Sequence, residues 1–209
     1  HQLLGDQYWL FLGITFVGIL IGSSVPAGIL AGPMMCGIYL CFFQRRQNKP
    51  VDFALLFKGF DYFVESLLAT LIMVGCLLVI IIPTYAIAFF GFFVGAQGGE
   101  PSVAFLAVFG VLYIVVVILM ILISLPFMFV YPLIVDRGLK AVPAVKASFE
   151  GVMKNAIGLV GMLFLYTLIS CAGFCFCIVP SLLFMPLSLG GMFLAYCQVF
   201  PKDAKAETA

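Results

Sequence analysis

The sequence predicts an all-α protein: a polytopic bundle of about six transmembrane helices with two amphipathic helices at the cytoplasmic interface. It forms a single domain over residues 1–209, with a short solvated tail at 201–209. Three observations carry this. Hydrophobic residues make up 65% of the chain and charged residues 9%, against roughly a quarter charged in ordinary soluble domains. Apolar runs such as Val111–Met120 are continuous, whereas barrel strands alternate. The polar residues gather in a few short segments with apolar stretches between them. In hydrocarbon only helices and closed barrels satisfy their own backbone groups, so the lack of alternation leaves the helix.

The chain opens on His1 rather than Met, which reads as a trimmed or incomplete form of a longer protein. Tyr8–Phe43 is apolar throughout, about 54 Å as one helix at ~1.5 Å per residue, which overshoots a core of ~30 Å. Gly22-Ser23-Ser24 and Pro26 form the natural break. The stretch therefore reads as two short helices, Gly5–Ile21 and Ala27–Phe43, with a re-entrant pair or a single kinked crossing left open. Gly18 and Gly22, and Gly28 and Gly32, stand four apart and would let backbones approach closely.

Gln44–Pro50 is a polar loop. Val51–Tyr62 follows as an amphipathic segment, with Phe53, Leu56, Phe57 and Phe60 on one face, or else as the extended start of the next span. Phe63–Gly95 and Val103–Val135 form a long hairpin about the turn Ala96–Ser102, with bends expected at Pro83, Pro126 and Pro132. Val142–Lys154 is a second amphipathic segment. Val142, Val145, Phe149, Val152 and Met153 can share one face, and Lys146, Glu150 and Lys154 follow at i, i+4 on another. Ala156–Val179 and Leu182–Phe200 form the last pair of spans, with Gly191 and Ala195 as a small packing face.

The ten basic residues sort into three places. Arg45, Arg46, Lys49 and Lys58 lie in and after the first polar loop, Arg137, Lys140, Lys146 and Lys154 in the second, and Lys202 and Lys205 in the tail. Lys and Arg accumulate on the cytoplasmic side, so the two loops and the C-terminus are expected there, with two crossings between each and the next. Arg45-Arg46 with Lys49-Pro50 is echoed by Asp136-Arg137 with Lys140 and Pro143. Either the halves are related by an axis along the membrane normal, or any two cytoplasmic loops look this much alike.

Gly32-Pro33-Met-Met-Cys-Gly37-Ile-Tyr39, the run Leu56-Phe57-Lys-Gly59-Phe60, and Pro132-Leu133-Ile-Val-Asp136-Arg137-Gly138 with Ala144 and Lys146-Ala-Ser148 carry a family likeness. Over roughly residues 10–200 the chain resembles the bacterial integral membrane proteins related to the membrane domain that precedes some glycerophosphodiester phosphodiesterases. The resemblance implies a helical module of the bacterial inner membrane. It does not imply the phosphodiesterase reaction, because the pair of histidines and the carboxylate cluster of that separate barrel are not in this sequence.

No constellation for chemistry stands out. His1 is the one histidine, so histidine-based zinc or haem sites have no second ligand. Cys171, Cys175 and Cys177 do not have metal-site spacing, and cysteine also serves as a small buried hydrophobe. Glu65 reads as a boundary residue near Lys58 or Arg137 rather than a proton relay. Asp136 and Arg137 are expected to pair with each other, a lipid headgroup or a neighbouring loop.

These readings predict a protein that is not an enzyme and takes no cofactor or metal. It would be an accessory or scaffold subunit within a larger membrane assembly. Its partners would be membrane lipids and other integral membrane subunits, with no nucleic acid and no soluble substrate. Arg45, Arg46, Lys49, Lys58, Asp136, Arg137, Lys140 and Lys146 are the candidate lipid or partner contacts, and Gly18, Gly22, Gly28, Gly32, Gly191 and Ala195 the candidate helix-packing residues. The alternative is a small transporter or exporter of an apolar or lipid-like substrate, built on broken spans at Gly22–Pro26 and Pro83. A headgroup-directed enzyme would have to use Asp52, Asp61, Glu65, Asp136 and Glu150.

Overall fold

The computed structural model describes residues 7–24, 28–97, 103–175 and 178–201, and among these every regular element is a helix. In chain order they are α1 (Tyr8–Ser24), α2 (Ala31–Arg46), α3 (Ala54–Phe57) running into a 3₁₀ turn (Lys58–Tyr62), and α4 (Phe63–Gln97). Then come α5 (Val103–Ser124), a 3₁₀ turn (Leu125–Phe127), α6 (Val130–Arg137), α7 (Ala141–Lys154), α8 (Ala156–Cys175) and α9 (Ile178–Val199).

The all-α expectation holds. Of the six or so spans expected, length and apolarity support two among the described residues, Ala54–Phe93 and Ala107–Arg137. A third exists only if α7 and α8, which meet at 90°, count as one bent span. Tyr8–Ser24 and Met185–Val199 are apolar but shorter.

Helix α2 is the hub, in contact with α1, α3, the 3₁₀ turn after it, α4, α6 and α9. Glycine makes that crowding possible. A Cβ on Gly37 would overlap the carbonyl oxygen of Leu56, and one on Gly59 would overlap the carbonyl oxygen of Pro33. Backbone thus meets backbone, an approach open only to the residue without a side chain. Phe11, Ile14, Met34, Ile38, Phe42, Leu56 and Phe193 close one core cluster from α1, α2, α3 and α9. Phe129, Leu133, Ile134, Ala144, Val152 and Tyr196 close a second from α6, α7 and α9. Phe43, Tyr131, Met192 and Cys197 pack against both, so the clusters form one continuous base.

Two parts of the chain leave that base. Among the described side chains of α4 the buried ones are Ser66, Ala69 and Thr70, near its start. Farther along, Val79, Tyr85 and Phe89 are each more than 70% exposed, and Tyr113 in α5 is 70% exposed. The α4–α5 hairpin is therefore an apolar arm whose inner seam is its own. The Phe109 ring lies where a Cβ on Gly91 would stand. In α8 likewise, Leu159 is buried while Ile157, Phe164 and Leu165 are exposed.

Several local expectations change. The first amphipathic segment is one α-turn followed by 3₁₀ turns. Leu56 consequently points into the core while Phe57 and Phe60 stay exposed, instead of sharing its face. The second segment is a regular helix whose apolar stripe faces mostly outward, as an interfacial helix requires, with Val152 turned inward. Ala141, Ala144, Ser148, Gly151 and Val152 are buried, whereas Val142, Phe149 and Met153 are exposed. Close packing decides this, since a Cβ on Gly151 would already strike the Phe200 ring, and larger side chains would push α7 off the base. α1 ends at Ser24, inside the expected break at Gly22–Pro26, whereas α4 runs unbroken through Pro83. The return arm does divide at Pro126, which sits in the 3₁₀ turn where α5 ends, while Pro132 sits in the first turns of α6, where its missing N–H costs least. Gly138 ends α6 at φ +59°, the left-handed conformation a C-terminal glycine adopts without strain.

Candidate functional site at the basic end of the bundle

Two of the segments bearing basic residues, far apart in sequence, converge on the end of α9. Arg46, closing α2, donates from Nη1 to Cys197 Sγ at 2.8 Å. Arg137, closing α6, lies over the Phe200 ring at 5.4 Å from its centroid, within reach of a cation–π attraction. One residue earlier, Asp136 Oδ2 accepts the Tyr196 hydroxyl at 2.8 Å. Beneath them sits an aromatic cluster. Tyr196 packs on Phe200 at 5.4 Å, on Phe43 at 5.8 Å and on Phe129 at 6.1 Å, and Phe43 meets Phe193 edge-on at 4.9 Å.

The second polar segment is pinned from the other side. Glu65, in the first turn of α4, accepts the backbone N–H of Ala141, the first residue of α7, at 2.8 Å. That N–H has no intrahelical acceptor, and a carboxylate at a helix N-terminus also meets the favourable end of its dipole. Lys140, the residue before the helix, supplies no side-chain cap, so Glu65 caps α7 from another helix. Ser148 Oγ accepts the buried N–H of Phe129 at 3.3 Å. Thr70 bonds the Tyr131 hydroxyl at 3.0 Å and donates to the Ser66 carbonyl.

Among the sequence-predicted contacts, Arg46, Asp136 and Arg137 are brought together around α9. Arg45 is half-buried nearby in α2, and Lys49, Lys58, Lys140 and Lys146 stand exposed. Asp136 engages Tyr196, and Glu65 engages the start of α7. Of the packing glycines, Gly18 lies against Ile38, Gly22 against Ala31, and Gly32 against the Ser66 carbonyl; Gly28 holds φ +65°. Ala195 is buried, but a Cβ on Gly191 would meet open space. The side chains of Cys171, Cys175 and Cys177 lie outside the described residues.

Sequence reasoning missed Gly37, Gly59, Tyr196, Cys197 and the cap by Glu65. A signal for the first two was present, because they belong to the runs Gly32–Tyr39 and Leu56–Phe60, which the structure places face to face. Nothing local marks Tyr196 or Cys197 as partners of charges in other helices.

Chemically, this is an anchoring site. The half-buried acids serve as acceptors for a hydroxyl and a helix start, and the cations lie at the rim. Among the described residues no group of three or more metal-capable side chains comes together. A family model described as a domain of unknown function (DUF7847) matches residues 55–205, from α3 through the tail. No curated protein and no solved structure matches the chain, and nothing in these comparisons links it to phosphodiesterase-associated membrane domains.

Proposed function

The chain belongs to the family described as a domain of unknown function (DUF7847), and from its residues we infer an integral membrane protein that serves as an accessory or scaffold subunit. Its base sits at the cytoplasmic face and its α4–α5 arm crosses the bilayer to dock against other membrane subunits. The observation that carries this is the arm itself. Two helices of span length leave the packed base with large apolar side chains exposed on their outer surface, Val79, Phe89, Val108 and Tyr113 among them. Water does not tolerate such a surface; lipid and apolar helices do. The cations gathered at the opposite end match the cytoplasmic side of a membrane.

The transporter reading draws less support, because, of its two broken spans, the one at Pro83 is a continuous helix, while α1 does end at Ser24. Site-specific photo-crosslinking tests the scaffold reading. A crosslinker at Phe89 or Tyr113 in intact membranes should yield a discrete protein adduct, while one at Phe57, exposed on the base, should not. Lipid adducts alone from the arm would reject the docking role, and release of the chain by alkaline carbonate would reject membrane integration altogether.

A further inference from the structure

Helices α8 and α9 run antiparallel from the bend at Asn155, and two hollows lie end to end between them. The first, about 570 Å³, opens at the junction of α7 and α8, where Lys154, Asn155 and Gln198 line it. The second, about 300 Å³, continues along the same two helices past Leu165, Leu189 and Gly191, and Met162 lines both. Each is of the size that small-molecule sites occupy, ~300–1,000 Å³. From Asn155 to Tyr166 the trough runs about 16 Å at ~1.5 Å per residue.

The polarity of the trough changes along its length. Lys154 is its one charged lining residue among the described residues, and it stands at the mouth with the Asn155 and Gln198 amides. The first turn of α8, Ala156 to Gly158, lines the same mouth, and the leading N–H groups of a helix have no acceptor within it. The deep half is aliphatic apart from Tyr166 and Ser188, and the Ser188 hydroxyl donates to the Met185 carbonyl. Only an amphiphile matches both halves. A soluble anion would leave the apolar trough empty, and a lipid of no net charge would bring Lys154 no net counter-charge beyond Glu150. The mouth also lies at headgroup depth if α7 rests on the membrane through its exposed Val142, Phe149 and Met153.

We propose that the α8–α9 trough is a binding site for an anionic glycerophospholipid, with the phosphate at Lys154 and the start of α8 and one acyl chain along Met162 to Gly191. The site rests on the membrane placement argued above, but not on the docking role of the arm.

Native mass spectrometry of the full chain in detergent tests it, with phosphatidylglycerol and phosphatidylcholine of identical chains titrated separately. The wild type should retain one phosphatidylglycerol in preference to phosphatidylcholine. Lys154→Gln should weaken phosphatidylglycerol about fivefold, the weight of one basic side chain at an anionic lipid surface, and so erase the preference. Gly191→Phe, at a trough-lining position where an added Cβ meets nothing, should weaken both lipids. Where that variant loses its helical circular dichroism, Gly158→Phe, where an added Cβ likewise meets nothing, gives the same reading from the mouth. Equal retention of the two lipids by the wild type, unchanged retention by either variant, or displacement of the lipid by free glycerol 3-phosphate would overturn the site. Failure of the membrane placement itself would show separately, as carbonate extraction of the chain.

Discussion

Glu65 Oε2 accepts the backbone N–H of Ala141 at 2.8 Å, so a carboxylate on α4 caps the start of α7 across a separation of 76 residues. This bond ties the arm to the second polar segment. Replacing Glu65 with Ala leaves that N–H without its acceptor and should cost about 1–2 kcal/mol, as loss of a helix cap does. Glu65→Gln, which keeps an acceptor but no charge, should cost less. Thermal unfolding of both variants in one detergent checks the order.

The crossing of Gly37 with Leu56 makes a sharper prediction. Gly37→Ala forces a methyl onto the Leu56 carbonyl oxygen and should destabilise the base by roughly 1–3 kcal/mol, as overpacking does. Gly75→Ala, on the exposed part of α4 with nothing near the added methyl, should instead stabilise by roughly 0.5–1 kcal/mol through helix propensity. The opposite signs, read as shifts in unfolding midpoint, separate close packing from a general intolerance of change.

Tyr196→Phe removes the hydroxyl that Asp136 accepts and should cost about 1.5–3 kcal/mol, the range for a hydrogen bond to a charged group. A double-mutant cycle with Asp136→Asn should show coupling, since the pair is in direct contact. Additive losses would mean that the two residues act independently.

Helix α7 should lie on the membrane surface through Val142, Phe149 and Met153, side chains exposed on the base and flanked by Lys146 and Lys154. The chain has one tryptophan, so Phe149→Trp in a Trp9→Phe background places a single probe on that face. Its fluorescence should be quenched by lipids brominated near the headgroup more strongly than by lipids brominated at the chain end. Quenching by aqueous iodide alone would place the helix in water.

Orientation is checked from the two polar loops. Cysteines introduced at Lys49 and Lys146, both exposed, should be labelled from the same side of sealed vesicles, the side that carries a reporter fused at Ala209.

Much of the architecture is legible in the residues. Long apolar runs make helices because hydrocarbon leaves a backbone few other options; α4 falls within a few residues of its expected arm, and the return arm starts where expected but divides at Pro126 into α5 and α6. Hydrophobic periodicity misled at Leu56 and Val152, which it grouped with the outward apolar faces and which are buried. Periodicity sorts side chains by polarity, whereas close packing sorts them by size, so small residues take the tight seam and decide which apolar neighbours turn in with them. Gly151 against Phe200 is that seam.

Composition and charge placement alone settle the helical class and the gathering of cations into three short segments, because both follow from local chemistry: which residues a backbone can carry into an apolar medium, and which must stay out. Only tertiary structure could decide that Arg46 and Arg137 both end on α9, that Glu65 caps α7, and that Gly37 and Gly59 bring α2 onto the turn after α3. Those contacts join residues remote in sequence, and their partners are selected by the shape of the packed base rather than by any neighbour along the chain.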